Sequence, residues 1–376
     1  MNEHRSNMTR ILTHKALITA AAVWAAMASC TVPYSQDNTE ADFGMQESDS
    51  LATVVFRASH TAGASKVTGI MDDNECTIYR WAVFAFDEVN GGFRYECSQG
   101  ESTVSMKLAM GRRYTCYAIV NYPVSGTGAF NPESVRTPED LTGKTAYISD
   151  NRTWSLLMFG SAFVIPMPGI GDEITINVRR LVSRIDLKGL KVDFSGKPKL
   201  LGKVFMLRSI YITNTYKTTL YGRDYSYYEI SQSRAAWYNT GGWHRGESPE
   251  NGIDALTGDM AINTPVSAEH PYTEKHSFYA FPNPTALQDD VRTMDAWTKR
   301  CTRLVIEASI GEDIFYYAIN VPSMGRNRIY AASNVIIRGK GSKDPEIMDI
   351  EPDVIEVTVV PVIDDAWDGL GDIYLD

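Results

Sequence analysis

The sequence predicts an all-β chain, two β-sandwiches in tandem behind an export signal. Three observations carry this prediction. Beyond residue 50 the apolar residues recur mostly with period two. The runs are short and are separated by Gly, Pro and Asn, the pattern of antiparallel sandwiches. One helix signal interrupts them, near Pro138, where Thr137 is placed to cap. A chain of 376 residues has room for two domains at about 150 residues each.

The export signal occupies residues 1–29. Arg5, Arg10 and Lys15 form a basic start, and an apolar run follows over 16–26. That run is too short to span a bilayer. Ala28 and Ser29 then stand directly before Cys30. Small-small-Cys after an apolar run resembles a lipobox, which makes Cys30 the lipidation site. Ordinary secretory cleavage near Ser29, with Cys30 free, is the alternative. Residues 30–50 contain Asp37, Glu40, Asp42, Glu47 and Asp49 and are expected to be a solvated acidic tether.

The strands follow in order. The first spans 52–58. Residues 78–86 are apolar on both faces, as in a central strand. Gly91 and Gly92 turn the chain into 93–97. Val104, Met106 and Leu108 alternate with polar residues, and 114–120 closes on Asn121. Further strands are expected at 154–165 and 174–187. In the second half they fall at 204–214, 278–281, 304–310, 315–321, 329–338 and 354–360. Residues 216–271 are Tyr-rich and read as a long irregular stretch. It is too long for a plain connection, and its aromatics, Tyr221, Tyr225, Trp237 and Trp243 among them, either pack or stack on sugar rings.

Composition excludes several classes. The chain is 44% hydrophobic and 22% charged, with 28 glycines and 16 prolines. It is therefore no disordered chain, collagen-like fibre or disulfide-packed mini-protein. A net charge of −10 offers phosphate backbones no counterion-release affinity, so nucleic acid is not an expected partner. Beside Cys30 there are Cys76, Cys97, Cys116 and Cys301, and spacing does not choose between three disulfide connectivities and four free thiols.

No catalytic residue, cofactor or metal ligand set emerges, and no enzyme is expected. His60, His244, His270 and His276 make no HExxH, and no GxSxG elbow or P-loop occurs. Asp364, Asp365, Asp368 and Asp372 look calcium-like, but Ala366 takes the third position an EF-hand loop needs for an oxygen ligand.

Several segments resemble the fimbrillins, the type V pilus subunits of Bacteroidales. Tyr117-Ala118-Ile119-Val120-Asn121 resembles their hydrophobic strand ending in Asn. Leu157-Met158-Phe159-Gly160-Ser161 resembles their apolar-then-Gly segment. Residues 178–187, with Arg179, Arg180 and Arg184, resemble the basic strand leading from the first domain into the second. Ile329-Tyr330, the strand over 335–338, and Gly339, Gly341 and Pro345 resemble the penultimate strand and its exit. Val357-Thr358-Val359 before Pro361 resembles the terminal strand. The resemblance covers nearly all of the chain and rests on the order of these motifs. The long Tyr-rich insertion after Asn214 and the acidic tail after Ile363 depart from the family.

The resemblance implies two transthyretin-like sandwiches, at 51–178 and 179–376, and no catalysis. It implies release from the lipid by a trypsin-like protease, which by position cuts after Lys66, where the family has Arg. It also implies polymerisation with other fimbrial subunits at the outer membrane surface. Ile355, Val357, Val359 and Val362, within 354–363, are the donor-strand candidates. The first three share one face, and Glu356 and Thr358 the other. An uncleaved anchor or tip subunit, or a surface lipoprotein that binds a glycan or host protein, is the alternative.

Overall fold

The computed structural model describes residues 50–59, 73–101, 103–152, 154–168, 172–225, 260–286, 301–343 and 354–362. The leading sandwich contains β1 (Leu51–Ser59), β2 (Arg80–Asp87), β3 (Phe93–Gln99), β4 (Thr103–Ala109), β5 (Tyr114–Val120), β6 (Thr145–Tyr147), β7 (Met158–Val164) and β8 (Asp172–Arg180). Seven of these form one sheet in the order β3-β2-β5-β7-β8-β1-β4.

The sheet becomes two layers because β8 changes partner along its length. Its first six residues pair with β1 and its last three with β7. Gly160 stands at the crossing, opposite Val178. A Cβ there would strike the Asn177 carbonyl oxygen and come within 3.0 Å of the Val178 Cα. Between the layers Val54, Phe56, Met106 and Leu108 pack against Trp81, Val83, Tyr114, Cys116 and Met158.

The outer face of β2, β5 and β7 is buried as well, which is why residues 78–86 are apolar on both faces. Phe84, Phe86, Ile119 and Phe159 lie under Tyr122, Phe130, Leu141 and Ile148, and join Tyr216, Tyr221, Tyr279 and Phe281 from the second half. The helix α1 (Pro138–Thr142) belongs to this cover. Thr137 caps it through a reciprocal box: Asp140 N donates to Thr137 Oγ1, and Thr137 N donates to Asp140 Oδ2.

The second sandwich contains β9 (Ser183–Leu187), β10 (Leu190–Val192), β11 (Phe205–Thr213), β12 (Thr218–Leu220), β13 (Met260–Val266), β14 (His276–Ala280), β15 (Thr302–Ile310), β16 (Asp313–Val321), β17 (Ile329–Ile337) and β18 (Ile355–Val362). One sheet runs β13-β11-β15-β16. In the other, β17 is central, with β9 and β10 on one side and β18 on the other. β9 and β10 are separated at Gly189, whose φ is +100° and whose missing side chain leaves room for the Tyr272 carbonyl.

Two expectations are revised. The run over 174–187 is two strands, divided at Leu181 and Val182, because both side chains are buried in the junction core. The stretch over 216–271 is not wholly irregular. β12 pairs with β6 across the junction, and β13 edges the β11 sheet. Three-residue β12 is too short for periodicity to register, and in β13 Asn263 has positive φ and Pro265 follows. Tyr216 and Tyr221 are buried, so these aromatics pack; Trp237 and Trp243 lie outside the described residues. No helix among the described residues is long and apolar enough to cross a membrane.

Candidate donor and acceptor strands

β1 is held on both edges. It runs antiparallel to β4, from Leu51 opposite Ala109 to Arg57 opposite Thr103. It runs parallel to β8, from Val54 opposite Asp172 to Ser59 opposite Asn177. Ala52, Val54, Phe56 and Ala58 point into the core, and Thr53 and Arg57 face solvent. Burying a side chain such as Val54 or Phe56 contributes about 1.5–3 kcal/mol. Arg57 adds an ion pair with Glu173 at 2.6 Å, but both groups are half exposed and such pairs contribute little. Among the described residues β4 has no ladder partner other than β1. Taking β1 away therefore leaves an apolar slot lined by unpaired edges of β4 and β8.

Residues 60–72, Lys66 among them, lie outside the described residues, as do Cys30 and the acidic tail. The chain resumes in a short turn (Asp73–Cys76) that is bolted to the second sandwich. Arg184 of β9 donates to Glu75 at 2.6 Å, and Tyr279 of β14 donates its hydroxyl to the same carboxylate. Arg184 also pairs with Asp186 at 3.1 Å. Asp186 in turn meets Lys275 at 3.2 Å and accepts from Ser277 at 2.7 Å. Arg180 donates to the Glu75 carbonyl at 3.0 Å and to Asn327 at 3.2 Å, with Cys76 Sγ at 2.9 Å. Burial alone would lower the Arg184 pKa, but Asp186 and Glu75 outweigh it and hold the guanidinium charged. Burial beside Glu75 raises the Tyr279 pKa, so its hydroxyl stays a donor.

The basic motif singled out in the sequence thus serves the junction. Of its partners, Asp186 lies within the motif, while Glu75 and Tyr279 were missed, although arginines on apolar strands call for buried acids nearby.

β18 occupies the opposite kind of position. Among the described residues it pairs with β17 alone, from Ile355 opposite Ile337 to Val362 opposite Ile329, with an irregularity between Ser333 and Ile336. It completes its own sandwich in this chain. Ile355, Val357 and Val359 face the second core but are only partly buried, while Glu356 and Thr358 are exposed. Arg338 bridges Glu356 and Asp193, each at 2.8 Å. Val54 and Phe56 of β1 are fully buried. The candidate donor therefore sits in a shallower seat than the strand it would replace. Among the described residues, no disulfide links Cys76, Cys97, Cys116 or Cys301 to another.

No protein-family model matches the chain, and no curated protein matches it. Solved structures do. A protein described as a cell adhesion protein from Bacteroides eggerthii aligns with a TM-score of 0.56 at 16% identity, covering 83% of this chain and 96% of that one. A fimbrilin of Porphyromonas gingivalis aligns with a TM-score of 0.52 at 14% identity, covering 82% and 96%. A protein of Parabacteroides distasonis, also described as a cell adhesion protein, gives 0.51 at 17% identity, covering 82% and 96%. The chain has the fold of these proteins. The expectation of an all-β chain with β-sandwiches in tandem is borne out.

Proposed function

We propose that this chain is a structural subunit of a cell-surface fimbria that supports adhesion. It is exported as a lipoprotein through Cys30 to the outer membrane, trimmed after Lys66, and polymerised by donor-strand exchange. The observation that carries this reading is the seat of β1. It is a two-sided strand inserted between β4 and β8, and the chain runs on from it into the segment that contains Lys66. The turn beyond that segment is anchored independently by Glu75. Cutting between them frees β1 and leaves the remainder of the sandwich attached.

β18 is a suitable replacement. An exposed edge with an apolar stripe is a template for another strand. Ile355, Val357 and Val359 exchange partial burial on an edge for insertion between two strands. Full burial of each such side chain is worth about 1.5–3 kcal/mol before losses to ordering. The fimbrilin fold shared with the Porphyromonas gingivalis protein supports the same reading.

The test starts from the chain lacking residues 1–30. Limited trypsin treatment should yield a new N-terminus at Val67, followed by polymers. Deleting 354–376 should leave a folded monomer that is trimmed but does not polymerise. Loss of soluble protein on that deletion would make β18 an internal strand and overturn the exchange. For the lipid, Cys30→Ser should abolish labelling by a fatty-acid analogue in cells.

A further inference from the structure

Among the described residues, Tyr79, Val124 and Trp154 are exposed near the junction end of the leading sandwich, and the other exposed large apolar side chains fall at the two sandwich ends away from the junction. In the leading sandwich the far end is where Leu51, Ala109, Asp87, Tyr114 and Val164 meet in register. There Val89 is 80% exposed and Phe163 68%, with Ile165 and Met167 also exposed. The loops carrying them are tied together. Glu88 N donates to the Arg113 carbonyl at 3.1 Å, and Gly111 N to the Pro166 carbonyl at 2.8 Å. Arg113 lies 5.1 Å over the Phe163 ring.

In the second sandwich the far end is where β10 and β17 finish, β11 begins and β15 turns into β16. There Leu201, Val204 and Ile314 are exposed. Val354, which leads into β18, is at this same end, accepting from Arg338 N at 2.7 Å.

Strand direction relates the two ends. β1 enters its slot at the far end, with Leu51, and runs toward the junction. A replacement strand that keeps both ladders, antiparallel to β4 and parallel to β8, must run the same way. Its N-terminal end then lies at the far end of the acceptor. The N-terminal end of β18 is fixed to its own sandwich beside Val354. The body of the donor is thereby brought against the acceptor with the Leu201, Val204 and Ile314 end leading.

We propose that these two apolar caps are the two sides of a head-to-tail contact between copies of this chain. Val89, Phe163, Ile165 and Met167 of one copy meet Leu201, Val204 and Ile314 of the next. The inference rests on the donor-strand reading and adds a second interface to it. Both caps belong to every subunit and differ from each other, so the contact is heterologous and propagates as an open filament. Exposed apolar clusters at such positions mark interaction surfaces, and a few central side chains dominate contacts of this kind.

The test uses the trypsin-trimmed chain and its variants Phe163→Glu and Val204→Glu. Three quantities are followed: the unfolding midpoint, binding of a synthetic peptide of residues 354–363 to the open slot, and the rate of polymerisation. Both side chains are exposed, so unfolding and peptide binding should match those of the unaltered chain. Polymerisation should slow about tenfold or more, as expected for a charge buried at an interface centre. Combining Phe163→Glu with Val204→Lys in one chain should recover much of the rate. Unchanged polymerisation in the single variants, with the peptide still bound, would overturn the cap contact alone. Failure of the peptide to bind the unaltered trimmed chain would overturn the strand-exchange reading, and the cap contact with it.

Discussion

Glu75 and Arg184 form an ion pair of 2.6 Å between side chains that are both almost wholly buried. It joins the turn just beyond the Lys66 segment to the first strand of the second sandwich. Strand release at β1 and retention of everything after Asp73 are compatible because of it. Breaking a buried pair by removing one partner strands a charge and costs about 3–5 kcal/mol. Arg184→Met should therefore lower stability by that amount in denaturant unfolding. The double variant with Glu75→Gln should lose less than the two single losses combined, since neither charge is then left alone.

Gly160→Ala should be destabilising by about 1–3 kcal/mol, the usual cost of forcing atoms into a packed site. The added methyl meets the Asn177 carbonyl and the Val178 backbone, neither of which can turn aside. Thermal unfolding checks this, and a variant as stable as the parent would show that the crossing of β7 and β8 has slack.

Asn121 has φ of 57°, and its amide accepts from Tyr79 N at 2.9 Å and donates to the carbonyls of Thr77 and Leu156 at 2.9 and 3.0 Å. Asn121→Ala loses these bonds and strains the backbone. Leaving buried groups unsatisfied costs about 1–3 kcal/mol. Asn121→Gly loses the bonds but accepts the positive φ, so it should fall between the parent and Ala on the same unfolding scale.

Acid should weaken the hairpin that carries Val89. Burial pushes the Asp87 pKa up, but a bond from Arg112 and those from the Val89 and Asn90 amides outweigh it and hold the pKa below its ordinary 3.8. A carboxylate with a depressed native pKa gives its full stabilisation above the unfolded pKa and loses it as pH falls through the native one. Stability followed from pH 6 to pH 2 should therefore drop in the acid limb below about pH 4. Asp87→Asn should be less stable at neutral pH and show a shallower drop.

Most of the strand order was legible because inward and outward positions alternate with period two. β1, the both-faced β2, the clean alternation of β4 and the Thr137 cap all follow from local chemistry. Val357 and Val359 of β18 share one face for the same reason. What escaped the sequence was non-local. The partner change of β8 depends on a close approach at Gly160 that only the assembled sheet creates. β12 is too short for any periodicity and exists through β6. Nothing local marks Glu75 as buried; only the fold brings Arg184 and Tyr279 onto it. Cys30 and Lys66 rest on motif and position, and both lie outside the described residues.

Ser333 and Thr358 stand opposite one another on β17 and β18, within reach of a disulfide if both are cysteine. In the trimmed chain, polymerisation of the variant Ser333→Cys, Thr358→Cys measured with and without reductant tests directly whether β18 leaves its own sheet. The account predicts monomers while the bond is intact and polymers once it is reduced. Equal polymerisation of the oxidised and reduced forms would show that subunits join with β18 still in place, and would contradict the account.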